Sequence, residues 1–203
     1  LASPVLVYMG LDALPQEMGI DSYEYFIGRD MDTERIWTET NDWEPHTKVS
    51  ATCLDVAIPG FTGPDRCQLN FTTIYDPDAL HKSGMTKYDY LPENERFANV
   101  LIDYFEKSTS AKIRDHIEEL VIATPATFTR YCEAFKGNIY GYVCSAIDGA
   151  VPRTLAQEKE RYIPGLDFVG SAGYRAHGYS SAMTNGYQVA KVVLEKLGGA
   201  ENG

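Results

Sequence analysis

The feature that most constrains the fold lies near the end of the chain. Leu166-Asp167-Phe168-Val169 is a short apolar run that reads as a strand, and Gly170-Ser171-Ala172-Gly173 follows at once. A loop then leads through Gly178 into a helix carrying Ala182, Gly186, Val189, Ala190, Val193, Leu194 and Leu197, stopped by Gly198-Gly199. A strand turned through glycines into a helix is an α/β connection. Glycines without side chains let the backbone come close to a ligand. The start of the helix presents unbonded N–H groups at its positive end, which suits a phosphate or a developing negative charge. The same pattern also serves as a plain tight connection, so the pattern alone leaves both readings open.

The first 80 residues are rich in strands. Runs at 4–9, 23–27, 49–58 and 68–75 are apolar or alternate, and they end at Gly10, Gly28, Pro59-Gly60 and Asp76-Pro77. Helices must then cover at least one face of a sheet. After Pro92, the residues Phe97, Val100, Leu101, Tyr104 and Phe105 form one stripe at helical spacing, and Pro92, Glu93 and Glu95 suit a first turn. A shorter helix is expected over 111–116, then a strand through Leu120-Val121-Ile122. Thr124 and Pro125 suit the cap and first position of a third helix, with Phe128, Tyr131, Cys132 and Phe135 as its apolar stripe and Lys136-Gly137 as its end.

Charge narrows the function. With 29 acidic against 18 basic residues, the net charge of −11 argues against nucleic acid or an anionic membrane surface as the main partner. No apolar run reaches about 18 residues, the length needed to span a bilayer. Cys53, Cys67, Cys132 and Cys144 form no Cys-x-x-Cys pair, and the four His are not at metal-ligand spacing, so buried free thiols in a reducing compartment are expected. Asn70-Phe71-Thr72 matches a glycosylation sequon but falls inside an expected strand.

No Gly-x-Gly-x-x-Gly, Walker loop or Gly-x-Ser-x-Gly elbow occurs, so neither a dinucleotide fingerprint nor a hydrolase nucleophile is on view. His177 is a candidate acid or base, although a lone loop histidine is more often a hydrogen-bonded bystander. Tyr140 and Tyr179 are further candidates among 14 tyrosines, a residue able to line an apolar pocket while its hydroxyl finds a polar partner.

Several segments, taken in order, resemble one family. Thr124-Pro125-x-Thr127 followed by Gly137-x-x-Tyr140-Gly141 is similar to the late part of phytoene desaturases, carotenoid isomerases and retinol saturases. Ile163-Pro164-Gly165-Leu166-x-Phe168-Val169-Gly170, with Gly178 eight residues on, resembles their C-terminal flavin-contacting segment. The openings Val5-x-Val7-Tyr8-Met9-Gly10-Leu11-Asp12 and Leu14-Pro15-Gln16-Glu17-Met18-Gly19 also fit. The resemblance implies an FAD-dependent oxidoreductase of the amine-oxidase-like superfamily, transferring hydride between flavin N5 and an apolar polyene or isoprenoid-like substrate. It implies Gly170 and Ser171 near the ribityl-pyrophosphate, and Gly178, Tyr179, Ser180 and Ser181 beside the isoalloxazine. Tyr140, His177 and Tyr179 are its weak catalytic candidates. Where family members carry a Gly- and Pro-rich loop, this chain has Gly173-Tyr174-Arg175-Ala176-His177-Gly178-Tyr179, whose larger side chains would narrow the flavin face and disfavour a bulky carotenoid.

The expected fold is α/β (α+β). Residues 1–150 would form a substrate-domain portion of mixed sheet plus helices. Residues 151–203 would return as strand, loop and helix to a Rossmann-like FAD-binding domain. The N-terminal dinucleotide-binding segment has no counterpart in the sequence. The chain is therefore expected to be a fragment, a processed product or a subunit partnered by an FAD-binding polypeptide. A cytoplasmic location is expected, with any peripheral membrane contact apolar rather than electrostatic. The competing classes are a non-catalytic partner subunit that has lost flavin chemistry, another amine-oxidase-like flavoenzyme, and a free-standing lipid-binding module.

Overall fold

The structure is a computed structural model and describes residues 2–45, 48–86, 88–140, 163–170 and 178–198. Two compact units divide the chain, residues 2–139 and residues 140–203. The first holds five strands: β1 (Ser3–Leu11), β2 (Glu24–Ile27), β3 (Val49–Thr52), β4 (Cys67–Tyr75) and β5 (Ile117–Ala123). It also holds helices α1 (Thr33–Glu39), α2 (Leu54–Ala57), α3 (Ala79–Lys82), α4 (Tyr90–Thr109) and α5 (Pro125–Cys132). In the second unit the described residues form one helix, α6 (Tyr179–Lys196).

The sheet order is β2-β3-β4-β1-β5, and every neighbouring pair is antiparallel. The expected mixed sheet is thus corrected to an antiparallel one. The physical signature is the alternation: β4 reads buried and half-buried in strict turn from Cys67 to Tyr75, as an antiparallel sheet packed on one face does. On that packed face Val7, Met9, Leu11, Val49, Ala51, Leu69 and Phe71 meet Ala98, Leu101, Ile102 and Phe105 of α4. Phe105 stacks at 5.1 Å from Phe71 and edge-on at 5.4 Å from Tyr25. A second cluster joins Val5, Trp43, Tyr75, Ala79 and Phe97. There Trp43 lies 5.0 Å from Phe97, and the Tyr75 hydroxyl donates to the Glu44 carbonyl at 2.8 Å.

Several elements differ from the sequence reading, each for a local reason. The run 49–58 is a strand only to Thr52; Leu54–Ala57 turns into α2 because Asp55 is buried and anchored there. The stripe of α4 is rotated by one residue. Ala98 and Ile102 are buried with Phe97, Leu101 and Phe105, while Val100 is exposed. Over 111–116 only a single 3-10 turn forms, Arg114–His116. The α5 helix ends at Glu133, which is left-handed, before Phe135. Its expected stripe is accordingly not core: Tyr131, Phe135 and Cys132 are exposed. Cys53 and Cys67 are buried thiols as expected, Cys132 is not, and Cys144 lies outside the described residues. The run Leu166–Val169 forms no strand; Leu166, Phe168 and Val169 are exposed between left-handed Gly165 and Gly170. Among the described residues no strand lies alongside it.

Candidate functional site

The two halves of the Thr-Pro and glycine motif form one contact. β5 delivers Thr124, which is fully buried and extended, and Pro125 takes the first position of α5. The Thr127 hydroxyl accepts the Thr124 N–H at 3.0 Å, one half of a capping box. The Tyr90 hydroxyl, from the start of α4, lies 2.5 Å from Thr124 Oγ1 and 3.4 Å from Thr127 Oγ1. Gly137, at φ +68°, closes on the same corner: a Cβ there would stand 2.2 Å from the Pro125 carbonyl oxygen. That distance admits no side chain, so the glycine is required by contact as well as conformation. The Ser3 hydroxyl donates to the Lys136 carbonyl at 2.8 Å, and the Ile139 N–H donates to the Ala2 carbonyl at 3.0 Å, tying the segment to β1. Beside the corner is an apolar depression of about 350 Å³ lined by Leu80, Met85, Thr86, Tyr90 and Ala126. Sequence reasoning missed Tyr90, because a tyrosine at a helix start carries no spacing signal toward a motif over thirty residues away.

The sheet face turned away from α4 is a second feature. The register lines up Glu24, Thr52, Asn70, Tyr8 and Val121 in one cross-strand row. Phe26, Ser50, Thr72, Leu6 and Ala123 form the next. The Glu24 carboxylate accepts hydrogen bonds from the Ser50 hydroxyl at 2.5 Å and the Thr52 hydroxyl at 2.7 Å. Asn70 Oδ1 is buried without a hydrogen-bond partner among the described residues, an acceptor held ready in mid-row. Asn70, the residue of the apparent sequon, is half-buried within β4. Tyr8 and Val121 are 40% and 49% exposed, so the row ends in apolar surface that a ligand can touch.

In the second unit, the structure gathers Gly178, Tyr179, Ser180 and Ser181 at one helix end. Gly178 caps α6 at φ +103°, a conformation that favours glycine, and among the described residues no side chain caps the helix. The Ala182 N–H donates to the Gly178 carbonyl at 3.0 Å, and among the described residues the N–H groups of the three preceding residues have no backbone partner. Tyr179 is 89% exposed. Gly170 is left-handed at φ +72°, and among the described residues a Cβ there or at Gly178 would meet nothing within 4 Å. Asn185 on α6 is fully buried in the stripe with Val189 and Val192, yet neither of its amide atoms has a hydrogen-bond partner among the described residues. The glycine conformation and the first-turn N–H groups at this helix end suit a polar, negatively charged group. Tyr140 is half-buried, and Ser171 and His177 lie outside the described residues.

Among the described residues no group of three His, Cys, Asp or Glu side chains is placed to hold a metal, and no helix is long and apolar enough to cross a membrane. No family model matches the chain, and no curated protein matches it.

Proposed function

We propose that the chain is the C-terminal part, or a subunit, of an FAD-dependent oxidoreductase of the desaturase, saturase and isomerase kind. The observation that carries the reading is the start of α6, where a first turn with no side-chain cap among the described residues follows a glycine at φ +103°. In this reading Gly170, Ser171, Gly178, Tyr179, Ser180 and Ser181 hold the flavin, with the α6 N–H groups donating to its negative edge. The flavin, when bound, supplies hydride transfer. Residues 1–150 act as the substrate-domain portion and residues 151–203 as the return to a Rossmann-like FAD-binding domain supplied by an N-terminal segment or polypeptide. The substrate is an apolar polyene or isoprenoid-like molecule. Tyr140, His177 and Tyr179 are the candidate proton-handling groups. A cytoplasmic protein with apolar peripheral contact to a membrane fits such a substrate.

One observation favours a second reading. The row of Glu24, Thr52 and Asn70 presents acceptors on the same sheet face, which suits a hydrogen-bond donor such as an amine and so another amine-oxidase-like flavoenzyme. The first test is a visible absorption spectrum of the protein as isolated, with intact masses of every chain in the sample. Flavin bands together with a second polypeptide are expected. A colourless protein that fails to take up FAD when the upstream segment is supplied would overturn the proposal in favour of a non-catalytic partner. Turnover of an amine in place of a polyene would select the second reading.

A further inference from the structure

The sheet is open at β2. That strand ends the order β2-β3-β4-β1-β5, and among the described residues no strand pairs with its outer side. The Cys53 N–H donates to the Tyr23 carbonyl at 2.8 Å, and the register then sets Tyr25 opposite Ala51. Tyr23, Tyr25 and Ile27 therefore turn their backbone groups to β3, while Glu24 and Phe26 turn theirs outward. A free edge is normally guarded by a projecting charge, a proline or a bulge. Glu24, the one charged residue of β2, is instead drawn back over the sheet by the Ser50 and Thr52 hydroxyls at 2.5 and 2.7 Å. Phe26 is 85% exposed. A concavity of about 750 Å³ follows this edge, its lining including Asp21, Glu24, Phe26, Tyr104, Ser108 and Thr109 and no basic side chain among the described residues.

We propose that the outer edge of β2 binds an extended peptide segment with adjacent Lys or Arg residues, which joins the sheet as an added strand. The outward N–H and C=O groups of Phe26 call for a strand rather than a simple cation. The charges call for a basic one. Among the described residues the Asp21 carboxylate accepts only the Tyr25 hydroxyl, at 2.7 Å, and the Glu24 carboxylate accepts hydroxyls alone. Ser108 and Thr109 bring the C-terminal, negative end of the 20-residue α4 to the same concavity. The carbonyls of Lys107, Ser108 and Thr109 accept no backbone hydrogen bond among the described residues. Successive side chains of an added strand point to opposite faces. Glu24 is tied to Ser50 and Thr52 on the face turned from α4, whereas Asp21 is tied to Tyr25, whose ring meets Phe105 of α4. Negative charge thus flanks both faces of the added strand, and two adjacent basic residues answer one face each.

Binding is read on the full chain by fluorescence anisotropy with a fluorescein-labelled peptide of sequence VKRVKV. Saturable binding is expected, weakened about tenfold when salt rises from about 0.05 to about 0.5 M. Glu24→Gln and Asp21→Asn keep an acceptor for the hydroxyls and should each weaken it about fivefold. Glu119→Gln, on β5 at the opposite edge of the sheet, should leave it unchanged. The same peptide N-methylated at every backbone nitrogen keeps its cations but loses its strand donors, and should not bind. Equal binding of the methylated peptide would overturn the added strand. Equal weakening in Glu119→Gln would assign binding to the net charge of −11 and overturn the site. No saturation by about 1 mM peptide would overturn the inference outright. The two peptides are compared on the unsubstituted protein, so failure of a variant to fold does not spare the inference, and none of these readouts depends on flavin.

Discussion

The two faces of the five-stranded sheet are built from the same strands and differ in almost everything else. On one, Val7, Leu69, Phe71 and Phe105 close a fully buried core. On the other, Tyr8, Asn70, Thr72 and Thr52 alternate with them residue by residue and stay exposed or half-buried. One residue of register separates the two environments. The contrast teaches that stability and recognition are divided between alternate positions of each strand: the α4 side holds the fold, while the opposite side, with an Asn70 oxygen unpartnered among the described residues, is free to be specialised.

The contrast breaks most severely at Phe105. Phe105→Ala removes a ring buried against Phe71 and Tyr25 and should lower stability by about 3–5 kcal/mol in urea unfolding. A loss below about 1 kcal/mol would show that α4 does not secure that face. Gly137→Ala comes next, at about 2 kcal/mol or more, since its methyl would strike the Pro125 backbone at a left-handed position. Its signature is lost protection of the α5 amides in hydrogen exchange. On the opposite face, Thr72→Ala should stay within about 0.5 kcal/mol of the parent. If that face binds substrate, the same change should alter ligand affinity, and calorimetry reads both.

Acid sharpens the comparison last, because its groups lie on neither face. Asp89 is held below the usual carboxylate range by hydrogen bonds from Thr86, first its hydroxyl and then its N–H. Asp78 is likewise held down, first by its contact with Lys136. A depressed folded-state pKa contributes stability above the unfolded value of about 3.9 and loses it as pH falls through the folded one. Asp89 is exposed and Asp78 half-buried at the surface, so a shallow decline confined below about pH 4 is expected, flattened in Asp78→Asn and Asp89→Asn. A decline of equal depth in those variants would assign it to other carboxylates.

Much of this division was legible in the residues. The alternation of Leu69, Phe71 and Tyr75 marks β4 and its buried side, and Phe97, Leu101 and Phe105 mark α4. Thr124 and Pro125 mark the start of α5 to the residue. What sequence periodicity misses is non-local. Nothing near Gly137 says that Pro125 will press against it, and nothing near Asp55 says that Thr62 and Gln68 will gather around it and turn a strand into α2. The same holds for Tyr90 at the Thr124 corner and for Glu24 under Ser50 and Thr52, which need the register before they become neighbours. The α5 stripe fails for the opposite reason: apolar spacing is present, but Glu133 ends the helix before Phe135 can join it.

The place of β1 in the sheet has a consequence for how the molecule is made. Leu11 pairs with Cys67 on one side and with Ile117 on the other. β1 is therefore held on one edge by β4 and on the other by β5, the strand of this sheet latest in sequence, and its second edge closes only when β5 arrives. Folding should accordingly be slow for the size of the unit, dominated by long loop closures. Until β5 arrives β1 keeps one open edge, an adhesive segment that asks for shelter during folding.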